Sequence, residues 1–166
     1  MAELTPSERL QPSLLDRLTD EEPAKNQESR KNRVLSVGRL REGVLRDIAW
    51  LLNSGNLAED DLEANYPHVA HSVVNYGLPD LAGLTASGVN VAELEQIVKQ
   101  ALWDFEPRII RETLRVRARA DGEMSHNALV FEIEGELWAQ PIPLELLLKT
   151  EIDLETGDIA VTEVTR

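Results

Sequence analysis

The sequence predicts an α+β fold, in which N-terminal helices pack on a small antiparallel β-sheet. Three patterns carry that expectation. Val37, Leu40, Val44, Ile48, Leu51 and Leu52 recur at helical spacing, and Val91, Leu94, Ile97, Val98, Ala101 and Leu102 repeat the pattern further on. Beyond Glu112 the period changes to two. Leu114, Val116, Ala118 and Ala120 alternate with Arg115, Arg117 and Arg119, and Leu129, Phe131, Ile133 and Leu137 share a face opposite Glu132, Glu134 and Glu136. In a chain of 166 residues this gives one α+β domain over 37–166, preceded by a docking segment and flexible linker over 1–36.

The N-terminal segment holds one short apolar patch. Ser13 is placed to cap a helix, Asp16 stands at its third position, and Leu14, Leu15 and Leu18 share one face. A helix this short needs a partner surface to persist. From Thr19 to Arg33 the residues are almost wholly polar and carry no apolar period, as a tether does. The leucines either pack back on their own domain or form a hook offered to another subunit.

The first long helix is expected from Val37 to Asn53, capped by Ser36 and stopped by Asn53-Ser54-Gly55-Asn56. Arg39, Arg41, Glu42, Arg46 and Asp47 fall mostly on its other side and read as a solvated face with local pairs. An acidic connection follows, with Glu59, Asp60, Asp61 and Glu63, but it has neither the glycine nor the ligand spacing of an EF-hand. His68 and His71 are three apart, and no strong third ligand for zinc accompanies them. No cofactor or metal is expected. Asn75-Tyr76-Gly77-Leu78-Pro79-Asp80-Leu81 reads as a packed, turn-rich loop. At the second helix Asn90 is the cap, Glu93 its reciprocal partner, and Val89 can staple against Leu94.

That helix should stop at Glu106, because Pro107 disfavours helical geometry in the residue before it. Glu106 and Arg108 flank the proline. They form either a local surface ion pair at a helix-to-strand corner or a partner-docking corner. In the sheet, three arginines of one strand face three glutamates of the next, which favours an antiparallel hairpin by about 0.2–1 kcal/mol per pair. Gly135 is a candidate bulge. Ile152 to Leu154 and Ile159 to Val164 flank Glu155-Thr156-Gly157-Asp158 as a second hairpin. The edge strands are then Glu112 to Ala120 and Ile159 to Val164. The C-terminal one, with Val161 central and Thr162, Glu163 and Thr165 outward, is the better acceptor for an added strand.

A formal net charge of −13 argues against binding to nucleic-acid phosphates or anionic lipid, and suits partners with basic patches. The chain has no cysteine, no signal-like N-terminus and no apolar run long enough to span a bilayer, so it is expected in the cytoplasm. A glycosidase needs paired carboxylates, one of them in an apolar pocket. Glu106 is the only acid in a rigid, partly apolar setting, and the guanidinium beside it favours the carboxylate, the opposite of what a general acid needs. No enzyme activity is expected. The alternative is a lysozyme-like peptidoglycan hydrolase.

Four motifs occur in one order: Ser13-Leu14-Leu15-Asp16-Arg17-Leu18, Arg46-Asp47-Ile48-Ala49-Trp50-Leu51-Leu52-Asn53, Asn75-Tyr76-Gly77-Leu78-Pro79-Asp80-Leu81 and Phe105-Glu106-Pro107-Arg108, followed by the hairpin around Gly157. Together they make the chain resemble the TssE baseplate wedge subunits of type VI secretion systems. Those belong to the lysozyme-annotated wedge-protein family of contractile phage tails. The resemblance runs from Ser13 to about Val164. It implies a structural part in a cytoplasmic baseplate, membrane-associated only through the assembled apparatus. Such a part joins other wedge subunits and seeds the contractile sheath, and its sheet resembles the sheath protein's strand-exchange region. The partner-binding residues expected on these grounds are Leu14, Leu15, Leu18, Glu106, Pro107, Arg108 and Val161.

Overall fold

The computed structural model describes residues 13–19, 36–57, 61–81, 90–119, 128–139 and 143–164. The tether after Thr19, Glu59 and Asp60 of the acidic connection, the Val89 staple, Ala120 and Thr165 lie outside them. Helices come first: α1 (Leu14–Leu18), α2 (Val37–Leu52), two single turns α3 (Leu62–Asn65) and α4 (Pro67–Ala70), and α5 (Val91–Phe105). Four strands follow, β1 (Arg115–Arg119), β2 (Ala128–Leu137), β3 (Leu144–Asp153) and β4 (Ile159–Glu163), paired antiparallel in the order β1-β2-β3-β4. This is the expected α+β arrangement, with β1 and β4 at the edges.

The caps behave as the residue types dictate. The Arg39 N–H donates to Ser36 Oγ at 3.2 Å, and the Glu93 N–H to Asn90 Oδ1 at 3.4 Å. Leu40, Val44, Ile48, Leu51 and Leu52 of α2 and Leu94, Val98, Ala101 and Leu102 of α5 are buried. They meet one face of the sheet, formed by Val116, Phe131, Ile133, Leu137, Leu146, Leu148, Ile152 and Ile159. Val37 was expected in the α2 stripe but is exposed, because it occupies the first turn, beyond the sheet's reach.

The sheet corrects four further expectations. Arg115 pairs with Glu134 and Arg117 with Glu132, but Arg119 stands opposite Val130, so two arginines rather than three meet glutamates. Glu136 lies past the end of β1, and its backbone is taken instead by the Ile110 N–H and Thr113 Oγ1. No bulge forms at Gly135 against β3, since that pairing runs through it in unbroken register with Leu146 opposite, while the β1 ladder ends one residue earlier, at Glu134. The glycine serves close packing: a Cβ there would meet Ile109 Cγ2 at 3.3 Å. β3 begins at Leu144 rather than Ile152, so the second hairpin has a far longer first arm. Finally, Glu163 shares a face with Ile159 and Val161, turned toward α2, where Arg41 pairs with it. The hairpin turn itself is as expected. Asp153 Oδ1 accepts from the Glu155 N–H at 2.8 Å, and Gly157 adopts φ 79°.

Candidate interaction sites

The end of α5 builds the first site. The Glu106 N–H still donates to Leu102 O at 3.0 Å, but its own backbone has left the helix at φ −119°, ψ 78°, as Pro107 requires. This turns the Glu106 side chain inward, where it is only 4% exposed. Three donors of Arg108 converge on it: Nε at 2.6 Å and the backbone N–H at 3.1 Å on Oε1, with Nη2 on Oε2. Nη2 also donates to Asp47 Oδ2 of α2 at 2.7 Å. Asp47 Oδ1 accepts from Arg46 Nε and Nη2 at 2.9 and 2.8 Å, and Arg46 Nη1 donates to Asp16 Oδ1 of α1 at 2.7 Å.

The result is a line of alternating charges, Glu106–Arg108–Asp47–Arg46–Asp16, running from the corner across α2 to α1. Burial alone would make the Arg108 guanidinium easier to deprotonate, but the two carboxylates reverse this and push its pKa up. For Asp16, burial raises the pKa, and the hydrogen bonds from Ser13 and Arg46 outweigh it and hold the carboxyl below its usual range. The corner is therefore not a local surface pair. It is a partly buried strut between α5 and α2. Arg108 also gives its carbonyl to the Trp138 N–H at 2.7 Å, which extends the β2 edge toward the corner.

The same line seats α1. Ser13 caps it, with the Asp16 N–H on Ser13 Oγ at 3.3 Å, and Asp16 ties it to α2. Gly43 makes room for this contact, since a Cβ there would lie 3.4 Å from Asp16 Oδ2. Leu14 and Leu18 are open, at 71% and 74% exposed, and Leu15 is the most covered of the three at 41%. Trp50, also exposed, lies under the Arg46 guanidinium, 5.3 Å from ring centroid to Cζ.

The third site is the β4 edge. The Asp153 N–H donates to Asp158 O and the Val164 N–H to Leu147 O, both at 2.9 Å. Counting in twos between them, Ala160 and Thr162 aim their backbone groups at β3, while Ile159, Val161 and Glu163 aim theirs away. Ile159 is already engaged. Its N–H donates to Asn53 Oδ1 at 2.9 Å, and its carbonyl accepts from Asn53 Nδ2 at 2.8 Å. On the opposite edge of the sheet, Glu95 of α5 accepts from the Ala118 N–H of β1 at 2.6 Å.

The residue pattern alone does not mark Asp47 and Asn53 as joints. Arg46-Asp47 reads as an adjacent pair on a solvated face, and Asn53 as a helix stop. Their long-range partners, 61 and 106 positions away, leave no local signal.

His71 lies between two carboxylates. Its Nδ1 meets Asp104 Oδ2 at 2.7 Å and its Nε2 faces Glu63 Oε1 at 3.4 Å. Among the described residues no three His, Asp or Glu side chains are grouped to hold a metal. The Asp104 hydrogen bond raises the His71 pKa above its usual 6.5 against a smaller opposing effect of burial, and Glu63 adds to the rise. A raised histidine pKa stabilises the fold fully below its unfolded value and loses that contribution as pH climbs through the folded one. Thermal melts should therefore show the wild type losing up to about 1 kcal/mol from pH 6 to 8.5, small because the His71 side chain is 40% exposed and water screens the pair. His71→Gln should be flat over the same range, and an equal slope in both proteins would rule His71 out as the source.

Residues 38–142 match the model of a family described as baseplate wedge protein gp25. No curated protein and no solved structure gives a match. Among the described residues no helix is long and apolar enough to cross a membrane. The family match covers well over half of the chain, including α2, the Asn75–Leu81 loop, α5, the Glu106–Arg108 corner and the first two strands, and the chain therefore belongs to the baseplate wedge protein gp25 family.

Proposed function

We propose that this protein is a structural subunit of a type VI secretion baseplate, a contractile, phage-tail-like injection machine, and that it works in the cytoplasm. It joins other wedge subunits and seeds the sheath. The observation that carries this reading is the family match, which makes the chain a baseplate wedge component. Three surfaces are assigned to assembly. The exposed Leu14, Leu15 and Leu18 form a hook for wedge partners, each leucine able to contribute about 1.5–3 kcal/mol on burial before ordering costs. The corner of Glu106, Pro107 and Arg108 presents a partly exposed guanidinium beside the hook's anchoring residues. The β4 edge around Val161 offers backbone groups to an extended segment of the first sheath ring, by β-augmentation.

A peptidoglycan-hydrolase role finds no support in the arrangement of the acids. The most enclosed acid among the described residues, Glu106, has both carboxylate oxygens occupied by donors of Arg108.

The assignment of the β4 edge is tested by Val161→Pro. Proline removes an outward N–H and distorts the edge without entering the β3 ladder. The variant, shown to be folded by circular dichroism, should still co-purify with wedge partners but should start no sheath in cells examined by electron microscopy. Normal sheath extension from it moves the acceptor to the β1 edge.

A further inference from the structure

We infer that Asn53 stands in for a neighbouring strand on the β4 edge, and so sets the first rung at which any added strand can pair. Its side-chain amide makes both hydrogen bonds to Ile159, donor to carbonyl at 2.8 Å and acceptor to N–H at 2.9 Å. That is the bond pair by which a residue of an adjacent antiparallel strand would hold Ile159. The amide is fixed from behind as well, because Asn53 Nδ2 also donates to Ala49 O at 2.8 Å within α2. At the other end of β4, Arg41 of α2 pairs with the Glu163 carboxylate and donates Nη2 to Glu145 O at 2.8 Å, a carbonyl beyond the last described pairing of β3 with β4. α2 thus pins β4 at both ends.

Between the pins, the outward backbone groups belong to Val161 and Glu163. Among the described residues no hydrogen bond reaches the N–H or C=O of Val161. Among the described residues the acceptor edge is therefore two rungs long. An open edge of three or more rungs pairs readily with a second copy of itself, which is the hazard edge strands carry. A two-rung edge is too short for that. It suffices for an extended segment delivered by a partner already docked nearby, where effective concentration replaces intrinsic affinity. Asn53 thereby makes the edge selective for a tethered partner strand and fixes its register against β4. On β1, Glu95 covers a single outward N–H, that of Ala118, and leaves the carbonyl to other partners.

This inference rests on β4 being the acceptor edge, but its test uses the isolated protein, so the two can fail separately. In unmutated protein, amide hydrogen exchange should be at least about tenfold slower at Ile159 than at Val161, the weight of one buried-quality hydrogen bond. Equal protection at both would overturn the two-rung edge. Asn53→Ala should bring Ile159 to the Val161 rate. It should also produce concentration-dependent dimers in sedimentation velocity where the wild type stays monomeric, and Val161→Pro in the Asn53→Ala background should return the monomer. An Asn53→Ala protein that stays monomeric sinks the guard role, as does one whose dimers survive Val161→Pro. If Asn53→Ala does not fold, the exchange comparison in unmutated protein still decides.

Discussion

Arg108→Ala is expected to destabilise the domain by about 3–5 kcal/mol, the cost of leaving a buried carboxylate without its partner. Glu106 is 4% exposed, and Arg108 supplies side-chain donors to both of its oxygens, so truncation leaves a buried carboxylate without its partner. Asp47 loses a donor in the same step, although Arg46 continues to hold its other oxygen. In a domain of this size the melting temperature should fall by roughly 2–4 °C for each kcal/mol. Arg108→Lys keeps a charge but cannot reproduce the fork that serves Glu106 and Asp47 together, and should fall between the two. Asp47→Asn should cost less than Arg108→Ala, because the Glu106–Arg108 pair survives it. Chemical denaturation of the three variants gives the order directly. A loss below about 1 kcal/mol for Arg108→Ala would class the pair with exposed ion pairs and leave partner docking as its main role.

How much of this was legible in advance depends on how local the cause is. The helix caps at Ser36 and Asn90, the stop before Pro107 and the turn at Gly157 are decided within four residues, and each is where the residue types place it. The sheet-facing stripes of α2 and α5 are legible for the same reason, since periodicity needs only one side of the contact. β3 is not. Leu144-Glu145-Leu146-Leu147-Leu148-Lys149 is rich in good helix formers and breaks strict alternation at Leu147, so local preference argues against a strand. Ten consecutive pairings with β2 override it. The register of β1 on β2 is likewise set outside the charge pattern. The Ile109–Leu137 bridge, the Ile110 N–H on Glu136 O and the Glu136 N–H on Thr113 Oγ1 fix the end of the ladder, and two Arg–Glu pairs follow from that rather than three. At the candidate sites, the Glu106–Arg108 contact is legible because its members are two apart. Asp47 and Asp16 are not, because their alignment is a product of how α2 crosses the corner.

Gly77→Ala should destabilise the fold by more than about 3 kcal/mol, through backbone collision rather than lost contact energy alone. Gly77 has φ 124°, a conformation that side chains rarely adopt. A Cβ built on it would lie 2.1 Å from Ser54 O and 2.6 Å from Ser54 C, and backbone atoms cannot swing aside as a flexible side chain would. The two segments must separate, and several bonds cross between them. The Leu78 N–H donates to Ser54 O at 2.8 Å, and the Asn56 N–H to Leu78 O at 2.9 Å. Asn56 Nδ2 reaches Gly77 O at 3.2 Å, and Asn75 Oδ1 accepts from the Leu57 N–H at 2.9 Å. Each contributes on the order of 1 kcal/mol net. Leu78, now 2% exposed, would also lose part of its burial, and complete burial of such a side chain is worth about 1.5–3 kcal/mol. The control lies in the same contact. Gly55 faces Leu78 across the bridge, yet a Cβ there meets nothing within 4 Å. Gly55→Ala should therefore shift stability by no more than about 0.5 kcal/mol in either direction. Urea unfolding of the two variants separates close approach from simple loss of a glycine: equal losses in both would mean that backbone freedom, not the collision with Ser54, explains the Gly77 requirement.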